Sequence, residues 1–260
     1  MANGCISIDR ILERLDAHLH ANDYAAAERH LKYWLDEARL AHDGRTELFL
    51  LNELMGLYRK TGRRDEAIEC AEKALKSVRE KLGGTVTAAT TYINAATVYK
   101  AFSLAEKSIP LFDEAREIYE SLLDKGDVRL GGLYNNMGLA LVDLSRFDEA
   151  KELYHKAIDV MSKHTDRGGE EAITYLNLAT AAEREYGLVD GDEMIRGYLD
   201  IAERLLEDCR ERDGYYAFVC EKCASVFGYY GRFMYEKALY ARAEAIYSEN
   251  KSGGRQNAGT

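Results

Sequence analysis

The chain repeats itself at a nearly fixed interval, and that interval restricts it to one kind of architecture. Ala74, Ala115, Ala157, Ala202 and Ala243 recur at steps of 41, 42, 45 and 41 residues, each inside an amphipathic stretch that follows a short turn. Tyr92, Tyr134 and Tyr175 recur at steps of 42 and 41 inside the stretch that precedes the turn. A unit written several times in one phase must stack on its own copies, because each copy has more apolar faces than it can bury alone. The longer step falls where "REYGLVDGDEM" enlarges a turn. Going back 40 residues from Ala74 reaches Trp34, inside a degenerate first copy, "NDYAAAERHLKYWLDEA".

Each copy is a helical hairpin. A single proline in 260 residues leaves little to interrupt a helix, and Ala, Leu, Glu, Lys and Arg are abundant. In "LLNELMGLYRK" the apolar residues Leu51, Leu54, Met55 and Tyr58 fall on one helical stripe. Short turns such as "KTGRRDEA", "LSRFDEA" and "YYGRFMYE" join antiparallel neighbours, and longer polar joints such as "KLGGT", "DKGDV" and "CRERDG" close each pair. The pattern predicts an all-α fold: one domain over residues 1–248, with units near 8–42, 46–83, 87–125, 129–165, 170–210 and 214–248. The last residues, 249–260, have no apolar period and read as a disordered tail.

"LNELMGLYRKTGRRDEAIECAEKAL" and "LYNNMGLALVDLSRFDEAKELYHKAI" resemble tetratricopeptide repeats. Both have a small residue inside the first helix, Gly or Ser at the turn and an acidic opening to the second helix. The usual repeat is about 34 residues long. The longer period here is similar to that of kinesin light chain and of bacterial peptide-sensing repeat proteins. The resemblance implies a right-handed superhelical solenoid of about six antiparallel helix-turn-helix repeats, its first helices lining a concave groove. It further implies a groove that binds a peptide or protein segment, with no cofactor.

Net charge and motif content narrow the chemistry. A net charge of −10 repels nucleic-acid phosphates and anionic lipid, and no run of about 18 apolar residues predicts a membrane span. Cys5, Cys70, Cys209, Cys220 and Cys223 are odd in number, which suits reduced thiols and a cytoplasmic setting. The pair Cys220 and Cys223 forms a CxxC, yet the repeat phase turns both toward the core. The six histidines lack ligand spacing, and no phosphate loop, dinucleotide fingerprint, HExxH or nucleophile elbow occurs. A thiol or zinc enzyme using Cys209, Cys220 and Cys223 is the alternative from another class, and packing is the plainer account of these residues.

One polar pattern is in phase. Asn94, Asn136 and Asn177 recur at steps of 42 and 41 on successive first helices, while Glu53 and Lys222 occupy the same place in the second and sixth units. A carboxamide both donates and accepts, so a row of them matches the unpaired N–H and C=O groups of an extended peptide. Asn52, Arg59, Lys60, Thr97, Lys100, Asn135, Thr180 and Arg184 project onto the same face, which makes its early part basic. The expected function is therefore a non-catalytic scaffold for a peptide or protein partner, with a cytoplasmic signalling-peptide sensor or regulator as the alternative. The aromatics from Tyr215 to Tyr247 suit a C-terminal cap or, alternatively, a homodimer surface.

Overall fold

The computed structural model describes residues 7–164 and 168–256, and among them every regular element is a helix. Two compact units, residues 1–122 and 123–260, hold three hairpins each, where the sequence suggests a single domain. In the first unit α1 (Ile8–His20) pairs with α2 (Tyr24–Leu40), α3 (Gly44–Lys60) with α4 (Arg64–Lys81), and α5 (Val86–Ala101) with α6 (Ala105–Leu122). In the second, α7 (Val128–Asp143) pairs with α8 (Phe147–Met161), α9 (Gly168–Asp190) with α10 (Asp192–Asp208), and α11 (Gly214–Tyr229) with α12 (Phe233–Gln256). None of these helices is long and apolar enough to cross a membrane.

The hairpin turns share one backbone device. A residue with positive φ ends the first helix: Asn22 (54°), Gly62 (71°), Ser103 (61°), Ser145 (58°) or Gly231 (81°). The next residue's N–H then reaches back to a carbonyl of the last helical turn. Arg63 bonds Tyr58 at 2.9 Å, Leu104 bonds Tyr99 at 2.8 Å, Arg146 bonds Leu141 at 2.9 Å, and Arg232 bonds Phe227 at 2.9 Å. That bond satisfies a carbonyl the helix would otherwise leave open and reverses the chain within two residues. The enlarged turn of the fifth hairpin differs. Gly187, at φ 81° and ψ 171°, breaks α9, and one more turn of helix follows it before α10. Joints between hairpins are fixed by caps, with Asp43, Thr85, Asp127 and Asp213 accepting backbone N–H groups at the starts of α3, α5, α7 and α11.

Small residues set the distance between paired helices. The repeating alanines of the second helices are buried, as are Ala96, Ala179 and Ala224 on the first helices. At the equivalent Gly138, a β-carbon would sit 2.5 Å from Cε1 of the fully buried Tyr154. α12 continues as helix through Gln256, past the boundary expected at 248, since no proline or strong turn sequence precedes Gly253; residues 257–260 of the expected tail lie outside the described residues.

Adding a methyl group at Gly138 gains about 1 kcal/mol of helix propensity but forces Tyr154 to move, at a cost of about 1–3 kcal/mol. Gly138→Ala is therefore expected to lower the urea midpoint with an unchanged m-value.

A carboxylate cluster ties the first two hairpins together. Burial tends to raise the Glu28 carboxyl, but hydrogen bonds from Lys32, Arg63 and Tyr58 outweigh it and hold the pKa at about 2. Lys32 Nζ lies 2.6 Å from Oε1, Tyr58 Oη donates to Oε1 at 3.0 Å, and the Arg63 guanidinium donates to Oε2. The pKa is depressed from an ordinary 4.5, so this stabilisation is complete above that pH and is lost as pH falls toward about 2. Glu28→Gln should cost about 1–2 kcal/mol at neutral pH, because the cations are partly solvated. The gap from the wild-type protein in urea unfolding should close as the solution is acidified through that window.

Candidate functional site

In both units the first helices leave an open cavity between them, and the in-phase asparagines stand on its walls. In the first unit the cavity measures about 210 Å³ and lies between α3 and α5. α3 contributes Asn52, Glu53, Met55, Gly56 and Arg59, and α5 contributes Asn94, Thr97 and Val98. In the second unit an opening of about 400 Å³ is walled by three first helices, with Gly132, Asn136 and Leu139 from α7, Ile173 and Asn177 from α9, and Phe218, Lys222 and Val226 from α11.

The carboxamides divide into two kinds. Asn52 donates to the Leu48 carbonyl at 2.9 Å and to Thr91 Oγ1 at 3.2 Å, and its Oδ1 accepts from Asn94 Nδ2 at 2.8 Å. Both of its N–H groups are thereby engaged, and its carbonyl holds a partner as well. The arrangement recurs in the second unit: Asn135 donates to Thr174 Oγ1 at 2.9 Å and accepts from Asn177 Nδ2 at 3.2 Å. Asn135 is only 9% exposed. Asn52 and Asn135 thus clamp neighbouring first helices, while each still lines its cavity. Asn94 and Asn177 each keep one N–H and the carbonyl oxygen. The half-buried Asn136 has no hydrogen-bond partner among the described residues.

The remaining expected residues scatter. Thr97 lines the first cavity, with its hydroxyl returned to the Asn94 carbonyl at 2.7 Å. Thr180 Oγ1 likewise returns to Leu176 O at 3.1 Å. Lys60 places its ammonium 5.2 Å from the Tyr24 ring centroid on α2. Lys60, Lys100, Thr180 and Arg184 line neither cavity.

Arg59 reaches solvent yet is crowded enough by protein that desolvation lowers its pKa. Glu53, which interrupts the asparagine row, lines the same cavity; burial raises its carboxyl pKa, and the charge of Asp16 on α1 adds to the rise.

Sequence reasoning missed the apolar walls of the second cavity and the glycines of both. A signal for them existed. Leu139 stands three residues after Asn136, Gly132 four before it, and Phe218 four before Lys222, all on the helical face of the asparagine row.

The cysteines belong to the core. Cys220 and Cys223 are 0% exposed, Cys209 is 7% and Cys70 9%. Burial raises all four thiols, that of Cys70 to about 11. A redox pair needs the opposite shift. Cys209 borders a cavity of about 240 Å³ with Glu211, Asp213 and Tyr215, but its Sγ is spent on the Glu211 carbonyl at 3.5 Å. Among the described residues no three His, Cys, Asp or Glu side chains form a metal-binding group. Cys5 lies outside the described residues.

The C-terminal aromatics are divided between core and surface. Tyr216 and Phe227 are buried, whereas Tyr215, Phe218, Tyr229, Phe233 and Tyr240 are exposed. Several hydroxyls bond carboxylates: Tyr215 to Glu170, and both Tyr229 and Tyr230 to Glu183.

Tetratricopeptide repeat family models match residues 47–121 and 131–164. Among solved structures, BtubC (BKLC) from P. vanneervenii is 22% identical over 76% of this chain and 79% of its own, with a TM-score of 0.66. The nearly identical TPR-like repeats of a putative kinesin light chain from Podosopora anserina are 17% identical over 78% of this chain and 96% of theirs, with a TM-score of 0.53. A Rap protein complexed with competence and sporulation factor is 14% identical over 91% of this chain and 73% of its own, with a TM-score of 0.54. At these identities the likeness is one of fold. No curated protein matches the chain.

Near pH 8, Cys70, Cys209, Cys220 and Cys223 should react with a disulfide reagent only as fast as the fold opens, and all at once in denaturant. Two thiols titrating within seconds in the native protein would return the CxxC to chemistry.

Proposed function

Because the chain is a tetratricopeptide-repeat protein with long repeats similar to those of kinesin light chain, we propose that it is a non-catalytic scaffold that binds an extended segment of a partner protein against the first helices. The observation that carries this role is the pair of glycines inside the cavities. A methyl group at Gly56 or Gly132 would meet no atom within 4 Å, so helix packing does not require glycine at either place. Each costs its helix about 1 kcal/mol relative to alanine. What glycine provides there is room, on the side of the helix where carboxamides stand. A peptide main chain needs both room and alternating donors and acceptors.

The polar groups around the cavities suit recognition better than bond-making. Asn94 in the first unit, and Asn136 and Asn177 in the second, can each meet a peptide group, and each such bond, at about 0.5–1.5 kcal/mol, holds a chain with little regard to its sequence. Leu139, Ile173, Phe218 and Val226 add apolar walls in the second unit, where a side chain of the partner would be desolvated. The thiol beside this cavity, Cys223, is buried and held protonated. A net charge of −10 favours a polypeptide over a nucleic acid as the partner.

Phage-displayed random peptides panned on the protein test the role. Selected clones should bind Asn136→Ala about two- to tenfold more weakly and should fail on Gly132→Leu, with the urea midpoint of Asn136→Ala unchanged and that of Gly132→Leu no lower. Failure to select any peptide, or clones indifferent to both substitutions, would remove the proposal.

A further inference from the structure

Glu53 and Arg59 face the same small cavity from one helix, and among the described residues neither has an ion-pair or hydrogen-bond partner for its side chain. They are six residues apart on α3, which is about 9 Å along the axis. Gly56 lies midway between them and leaves the gap open. On the opposite wall Asn94 is held by Asn52 and keeps one N–H and its carbonyl for use. The cavity is thus a slot whose α3 wall carries a carboxylate and a guanidinium and whose α5 wall carries a carboxamide.

Resting on the scaffold role above, we propose that this slot selects a peptide segment bearing a cationic and an anionic side chain two or three residues apart, the cation placed at Glu53 and the anion at Arg59. The spacing follows from chain geometry. An extended chain advances about 3.3 Å per residue, so two or three residues cover about 7–10 Å, close to the rise along α3 from Glu53 to Arg59. The polarity of the slot fixes which charge lies at which end. Asp16 acts on Glu53 from α1 and makes that end more negative.

Among the described residues neither charge has a counter-ion in the slot. Burial raises the Glu53 carboxyl pKa, the direction expected of a carboxylate with no cation beside it, while Arg59 stays exposed to solvent. A ligand of opposite polarity would supply both counter-ions. A ligand of uniform charge would gain at one end and be repelled at the other, so the slot discriminates by repulsion as well as by attraction.

Fluorescein-labelled decapeptides of Ser, Ala and Thr, carrying one Lys and one Glu at separations of one to five and in both orders, give the test by anisotropy. The wild-type protein should favour a separation of two or three over the longer separations by about tenfold. The neutralised double variant, Glu53→Gln with Arg59→Gln, should lose that preference, and Gly56→Leu should abolish it without loss of stability. Equal binding of all the peptides, or a peptide with Glu alone binding as tightly as the best pair, would overturn charge selection while leaving the scaffold role standing. Binding of none of these peptides, when panned peptides that depend on Asn136 still bind, would overturn the slot as a peptide site. Binding of none of either would overturn both proposals.

Discussion

The close approach of paired helices is the constraint on which the rest depends. Where Gly138 meets the ring of Tyr154, there is no space for even one more carbon. Ala96, Ala179 and Ala224 take the equivalent place in other hairpins and are wholly buried. Such contacts fix the rotation of each first helix about its own axis, because only the narrow stripe of small residues can face the partner. Once the rotation is fixed, the opposite side of the helix is fixed as well. Asn94, Asn136, Asn177, Gly56, Gly132 and Arg59 are left on the cavity side of their helices because packing elsewhere on the same helix leaves them no other direction.

The hairpins were legible in the sequence because their signals are local. Turn residues of positive φ, capping aspartates and apolar stripes all act within a few positions of themselves, and a short window contains the information. The asparagine row was legible for a similar reason, since a period of 41 or 42 shows itself by counting. Pairing between asparagines was not. Asn52 meets Asn94 and Asn135 meets Asn177, both 42 residues on, although in each case the packing positions advance by 41. The contact joins one place in a repeat to the adjacent place in the next. That offset arises from how neighbouring hairpins lean on each other, which no single repeat encodes. The sequence pattern accordingly grouped Asn135 with the ligand-facing residues, whereas the fold buries it.

Glu53 shows the converse. As a break in a row of carboxamides it looked like decay of the pattern toward one end. Placed on the same cavity wall as Arg59, it is a charge in a defined position. Sequence periodicity ranks a departure as noise, because it measures agreement among copies. A binding surface that discriminates between ligands has to differ from copy to copy, since identical rungs would accept any chain in any register. The residues most informative about specificity are therefore those that the repeat comparison discounts.

The two kinds of asparagine also complement each other. A free carboxamide on a helix surface samples several rotamers, and holding one of them in a complex costs about 0.5–1.5 kcal/mol. Asn94 and Asn177 are already held, each by one N–H given to a neighbour that is itself anchored: Asn52 to Thr91 and Leu48, Asn135 to Thr174. Spending half of the donors on a clamp fixes the direction of the donor and acceptor that remain. On the proposed role, removing Asn52 would weaken a peptide held by Asn94, by releasing Asn94 to rotate. The amides that the fold consumes and the amides that it leaves exposed belong to one device, in which packing between repeats sets the geometry offered to a partner.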